Sequence, residues 1–262
     1  MVIAIGASGQ ANLYTVKMPS YNDAMRKTNS TDRAAQRRKL QQAAPPRRGA
    51  RAPRPRQETP YHHGALRDAL LEAAERVLER DGLAGLTLRA VAREAGVSHA
   101  APTHHFGDLT GLLSELAAVG FRRFNAAMVA AAAAGTTPAA KAMARARAYV
   151  AYAEANPGMY GLMFRTERLD YSRPSLHEAA EASFAGLAGA IGASRHEQIS
   201  DHALTLEQAA AIARAWSLVH GFTMLLLDGR LADMLERSPA GTTADMLLDA
   251  MLKVTITRGQ DA

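Results

Sequence analysis

The sequence predicts an all-α protein, and three observations carry that expectation. Alanine is abundant, while aromatic residues make up only 5% of the 262 positions, a balance that favours helix over sheet. From Tyr61 onward apolar residues recur at helical spacing. Between these runs stand turn glycines and Ser, Thr or Asp residues placed as helix caps.

The first element is a leader, residues 1–60, expected to be disordered. It carries 12 Lys and Arg against 3 acidic residues, a charge of +9, whereas the remainder carries 19 against 22, or −3. The basic character of the chain therefore belongs to the leader, which could bind phosphate through counterion release or be a solvated extension. Its stretch "PPRRGARAPRPRQETP", Pro45 to Pro60, resists regular structure. The "RAPRPR" within it loosely resembles the arginine hooks that enter narrow minor grooves. The "GASG" at Gly6 to Gly9 lacks a dinucleotide-binding context. The absence of cysteine, of an uninterrupted apolar run long enough to span a membrane and of a charged signal-peptide start leads to the expectation of a cytoplasmic protein without a membrane partner.

The second element spans residues 61–117. Leu66, Ala69, Leu70, Ala73, Ala74, Val77 and Leu78 form one helical stripe, and Gly82 stops the helix. Thr87 is placed to cap a second helix with Val91, Ala92 and Ala95 inward. Gly96 turns the chain, and Ser98 is placed to cap a third helix in "GVSHAAPTHHFGD". Asp108 caps a long helix from about Leu109 to Ala134. Short helices with Ala92 four residues before the turn Gly96 form a helix-turn-helix.

The residues Thr87, Val91, Ala92, Ala95, Gly96, Val97, Ser98, His105, Phe106 and Leu112 resemble the signature of the TetR family of bacterial transcription regulators. The resemblance implies an N-terminal helix-turn-helix DNA-binding domain and a C-terminal helical-bundle domain for regulation and dimerisation, here residues 118–262. Two departures stand out: Thr103 where the family usually has tyrosine and Leu109 where it usually has lysine, both customary phosphate contacts. Pro102 is unusual but tolerable in a first helical turn. The expected DNA-binding set is Thr87, Arg89, Ser98, His99, Ala100, Ala101, Thr103, His104 and His105, with Phe106 as core. Short Ala and Thr side chains suit a thymine methyl and imidazole suits guanine or phosphate, while Arg89 and the Thr87 hydroxyl reach the backbone.

Further on, Trp216, His220 and Gly221, with "NPGMYGLMF" at Asn156 to Phe164, are similar to a subgroup of that family with a Trp-x3-His-Gly regulatory domain. His220 lies one turn after Trp216, either as a hydrogen-bonded core histidine or as a polar contact to a ligand. Tyr149, Tyr152, Met159, Tyr160, Met163, Phe164, Phe184, Trp216, His220, Phe222 and Met224 are the expected lining of a site for a hydrophobic or aromatic effector. The helices Leu206 to Leu227 and Thr243 to Thr257 bear broad apolar faces, including Leu225, Leu226, Leu227, Met246, Leu247, Met251 and Leu252. The family resemblance implies that these form a homodimer, and a two-fold dimer reads a palindromic operator.

The histidines raise the contrary reading of an enzyme or metal protein. His62 and His63 are adjacent, as are His104 and His105, and neighbours on a helix point about 100° apart, so they seldom share a metal. There is no His-Glu-x-x-His, Gly-x-Ser-x-Gly or phosphate loop. The expectation is a repressor without catalytic activity, metal or cofactor, released from double-stranded operator DNA by a small molecule. The rival is a DNA-binding protein without a ligand switch, its affinity driven by the basic leader.

Overall fold

In the computed structural model the described residues are 63–164, 166–200 and 203–257. The expectations placed on the leader, and the pair partner His62, lie outside them. All regular structure among the described residues is helical: α1 (His63–Gly85), α2 (Leu88–Glu94), α3 (Ala100–Phe106), α4 (Leu109–Ala133), α5 (Pro138–Ala155), α6 (Pro157–Met163), a 3₁₀ turn (Thr166–Arg168), α7 (Pro174–Arg195), α8 (Leu206–Leu227), α9 (Ala232–Glu236) and α10 (Ala244–Thr257).

Local chemistry explains the boundaries. Helix α1 is interrupted at Gly82, whose φ of 67° and ψ of −177° leave the helical region. Thr87 caps α2 by accepting the Ala90 N–H at 3.1 Å. At the other end Gly96 takes φ 68°. The Val97 N–H then reaches the Ala92 carbonyl at 3.0 Å and the Gly96 N–H reaches Arg93 at 3.2 Å, the paired bonds of a Schellman stop. Asp108 caps α4 through the Gly111 N–H at 2.7 Å. A capping interaction of this kind contributes about 1 kcal/mol. Thr137 caps α5, and Thr205 with Gln208 closes a capping box on α8. Thr243, expected to open the last helix, instead precedes it and accepts the Met246 N–H at 3.2 Å.

Two local expectations are corrected. Ser98 makes no side-chain cap; α3 begins at Ala100 after a His99 already in helical conformation, and Ser98 contributes its carbonyl to the Ala101 N–H at 3.1 Å. Ala69 is exposed, while Leu71 is buried. The buried face of α1 is shifted because the helix packs on α2, α4 and α6 at once, rather than on one neighbour.

The described residues form one unit. Leu70, Val77, Leu86, Val91, Phe106, Leu112 and Leu116 meet Leu162, Met163 and Leu176 in a single apolar cluster. Helix α4 has its most extensive packing against α5 and α7. The boundary expected at 117/118 therefore falls inside an unbroken helix. Val150, Phe222, Leu231 and Leu248 make a second, smaller cluster between α5, α8 and α10. Helix α8 is long and apolar enough to cross a membrane by length and composition. The expectation of no such segment counted uninterrupted apolar residues, and Arg214 and His220 interrupt this one.

Glycine 111 sits where α4 meets the end of α3. A Cβ there would overlap the Phe106 carbonyl oxygen and the Arg173 guanidinium, and backbone cannot swing aside. At Gly120 a Cβ would meet only the Met159 and Met163 side-chain ends, which can rotate. Gly111→Ala should therefore lower stability by about 1–3 kcal/mol and Gly120→Ala by less, read from urea midpoints. Equal losses for the two would contradict this account.

Candidate nucleic-acid interface and aromatic site

Helix α3 divides cleanly by exposure. Pro102 and Phe106 are buried; Ser98, His99, Ala100, Thr103 and His104 are exposed, and Ala101 and His105 lie between. Positions 100, 103 and 104 share one helical face, turned away from buried Pro102 and Phe106, and His99 is exposed at the start of the helix. Phe106 is 2% exposed and lies under the Arg67 guanidinium, 5.7 Å from its ring centroid. The His104 and His105 rings meet edge-on at 5.4 Å, and the His105 ring also lies 6.2 Å from that of Phe106.

On α2 both Thr87 and Arg89 are exposed. The Thr87 hydroxyl oxygen accepts its capping bond, leaving the hydroxyl proton free to donate. Arg93, one turn after Arg89 and also exposed, was missed by sequence reasoning. Neither Arg89 nor Arg93 has an ion pair among the described residues. Arg76 and Arg80 differ: Glu94 binds them at 3.0 and 2.9 Å, and the Arg80 and Arg76 hydrogen bonds hold its carboxyl below the usual range. The signal for Arg93 was available as the i, i+4 spacing from Arg89. Leu109, standing where a lysine was expected, packs against the apolar cluster.

A second assembly lies in the helical bundle. Tyr149 of α5, Tyr160 of α6, Phe164, and Trp216 and His220 of α8 come together. His220 sits 4.9 Å from Phe164, 5.8 Å from Tyr160 and 6.1 Å from Trp216 between ring centroids. Its Nδ1 lies 2.9 Å from the Tyr149 hydroxyl and 2.8 Å from that of Tyr160, and the two hydroxyls are 3.1 Å apart. The break that presents Tyr160 is Asn156, with φ −135° and ψ 55°, followed by Pro157. Burial pushes both tyrosines above their ordinary range and lowers His220 below its own. All three are thus neutral near pH 7.

The sequence set is only partly gathered here. Tyr152 donates to the Gly120 carbonyl at 3.1 Å and meets Phe124. Met159 and Met163 are core side chains against Gly120. Phe222 belongs to the second cluster, Met224 faces outward with 40% exposure, and half-buried Phe184 makes no ring contact among the described residues. Helical phase accounts for Phe222, which lies about 200° from His220 on α8 at about 100° per residue; Met224, about 40° away, shares the His220 face but stands one turn further along the helix. Phe121 and Phe124 of α4 were missed; they stack on Phe164 at 5.8 Å and Tyr149 at 5.0 Å. Their spacing reads as ordinary core. No group of three or more His, Cys, Asp or Glu that could hold a metal occurs among the described residues.

The lowered His220 pKa makes a signed expectation. Between the folded value and the ordinary 6.5, the unfolded chain binds more protons, so stability rises with pH and is lost on acidification. His220→Gln should flatten the dependence of the urea midpoint as pH falls below about 6.5. An undiminished slope would show that His220 does not carry it.

Two family models match: "Bacterial regulatory proteins, tetR family" over residues 70–116 and "Tetracyclin repressor-like, C-terminal domain" over 141–251. A protein with unknown function from Rhodococcus sp. RHA1 is 35% identical, with a TM-score of 0.61, covering 77% of this chain and 98% of its own. A protein designated SCO4313, described as a candidate regulatory protein, is 26% identical with a TM-score of 0.56, covering 72% and 94%. The fold is also that of the transcriptional regulator FadR from Bacillus subtilis, solved with stearoyl-CoA, at 14% identity and a TM-score of 0.53, covering 72% and 97%. No protein of curated function matches significantly.

Proposed function

The chain belongs to the tetR family of bacterial regulatory proteins, and from that premise we propose that it is a cytoplasmic repressor of transcription whose operator is released by a small aromatic or hydrophobic ligand. The observation that carries the reading is the pairing, within one unit, of an outward helix face on α3 with a polar triad set among aromatic rings. In this reading 61–117 is the reading head and 118–262 the regulatory and dimerisation domain. Residues 1–60 are an extension. His99, Ala100, Ala101, Thr103 and His104 face the major groove, while Thr87, Arg89, Ser98 and His105, with Arg93 added, serve the phosphate backbone.

We infer that the regulatory domain is of the Trp-x3-His-Gly subgroup and that His220 is the ligand's polar contact. With the imidazole neutral and Nδ1 accepting from a tyrosine hydroxyl, the proton resides on Nε2, which becomes a donor. The ligand class that fits is an aromatic or hydrophobic molecule bearing a carbonyl or carboxylate oxygen, recognised by one hydrogen bond in an apolar setting. Such a ligand shifts the protein only if it prefers the conformation that does not bind DNA.

Two copies are needed to read a palindrome. Trp216, Met224, Leu225 and Met246 leave 46, 40, 44 and 56% of their surfaces exposed on α8 and α10, which supports a four-helix interface built from the last two long helices. Leu225→Arg should shift the chain toward monomer in sedimentation and weaken operator binding together. Retention of a tight dimer would remove these helices from the interface.

Footprinting across the genome of the source organism tests the whole reading. His104→Ala or Thr103→Ala should weaken specific sites by about 1–3 kcal/mol each, and unchanged footprints for both would sink the groove assignment. Deleting residues 1–60 distinguishes the rival. A regulator keeps its specific sites, whereas a leader-driven binder loses most of its affinity and its salt slope.

A further inference from the structure

We propose that the segment Asp170–Arg173 is a latch between the aromatic site and the recognition helix, with the Arg173 guanidinium as its contact; the inference rests on the reading of α3 and the aromatic site given above. Helix α3 has seven residues, so most of its C-terminal carbonyls lack intrahelical partners. Arg173 Nη2 donates to one of them, the Phe106 carbonyl, at 3.1 Å. A cation at a helix C-terminus also meets the negative end of the dipole. Gly111 leaves the space the guanidinium occupies, since a Cβ there would overlap it.

The segment is tied at several further points. Asp170 faces Arg173 Nε at 3.7 Å and accepts from the Ser172 N–H and Oγ–H at 3.0 and 2.6 Å. The Asp170 N–H donates to the hydroxyl of fully buried Ser114 at 2.9 Å, and that hydroxyl donates to the Thr110 carbonyl at 2.7 Å. The Tyr171 hydroxyl reaches the Met163 carbonyl at 3.5 Å. The chain thus runs from Tyr160 and Phe164 in the aromatic site to Asp170 on the first turns of α4, and on to Arg173 at the end of α3. Leu169 and Leu176 anchor it in the same core as Phe106. A ligand that displaces Phe164 or Tyr160 pulls on a segment that holds the recognition helix by its last carbonyl.

Binding linkage is reciprocal, so the test needs no identified effector. Trp216 is the single tryptophan and stands beside His220, so at protein concentrations where sedimentation shows an unchanged oligomeric state its emission reports the aromatic site. The probe is the duplex that the wild-type chain selects from a randomised DNA pool. Wild-type protein should change its Trp216 emission on binding that duplex. Arg173→Ala should bind on the order of tenfold more weakly and lose more than half of the emission change at saturation. Arg173→Lys, which keeps a cationic donor, should recover most of both, and Ser114→Ala should move both in the direction of Arg173→Ala. Should Arg173→Ala fail to fold, the Lys and Ser114 variants decide the matter by the same two readings. Binding within twofold, or the full emission change at saturation, overturns the latch. A wild-type chain that selects no duplex sinks the regulator reading instead.

Discussion

Everything in this molecule hangs on helix α4, a rod of 25 residues that runs about 37 Å at 1.5 Å per residue. Its first turn is fixed by Asp108 and by the close approach of Gly111 to the end of the recognition helix. Its middle admits Met159 and Met163 at Gly120, and Phe121 and Phe124 wall the aromatic site. One continuous hydrogen-bonded element therefore touches both helix α3 and the aromatic site.

The recognition helix is the opposite kind of object. Seven residues are too few to be stable as an isolated helix, so its conformation is imposed from outside. The Schellman turn at Gly96 sets its entry. Buried Pro102 and Phe106 hold its inner face, and Gly107, at φ 82°, redirects the chain into α4. Arg173 then satisfies a carbonyl that the helix cannot satisfy itself. A helix maintained by so many separate supports is weakened by the loss of any one of them.

Polarity in the regulatory domain is concentrated in few atoms. Tyr149, Tyr160 and His220 satisfy one another, so an otherwise apolar region carries hydroxyls and an imidazole without an uncompensated charge. Burial holds all three neutral near pH 7. Cations without an ion pair are sparse on the described part of the head: Glu94 engages Arg76 and Arg80, leaving Arg89 and Arg93. Leu109, where the family resemblance led to the expectation of a lysine, packs against the core instead. The strong positive charge of the chain lies instead in residues 1–60.

The turn at Gly96, the caps at Thr87 and Asp108 and the break at Asn156 were legible because each depends on local backbone chemistry within four residues. The family signature and the outward positions of α3 were legible for the same reason, since helical phase follows from spacing. What spacing could not supply was which apolar face meets which neighbour. It therefore grouped Phe222 and Met224 with His220, missed Phe121 and Phe124, and placed Ala69 rather than Leu71 in the core. The sequence by itself determined an all-helical regulator with a reading head and an aromatic-rich bundle. Only the tertiary structure decided that His220 lies between two tyrosine hydroxyls and that Arg173 reaches Phe106. Those contacts join residues 60 to 71 positions apart, and such pairings depend on how helices pack, which local propensity does not encode.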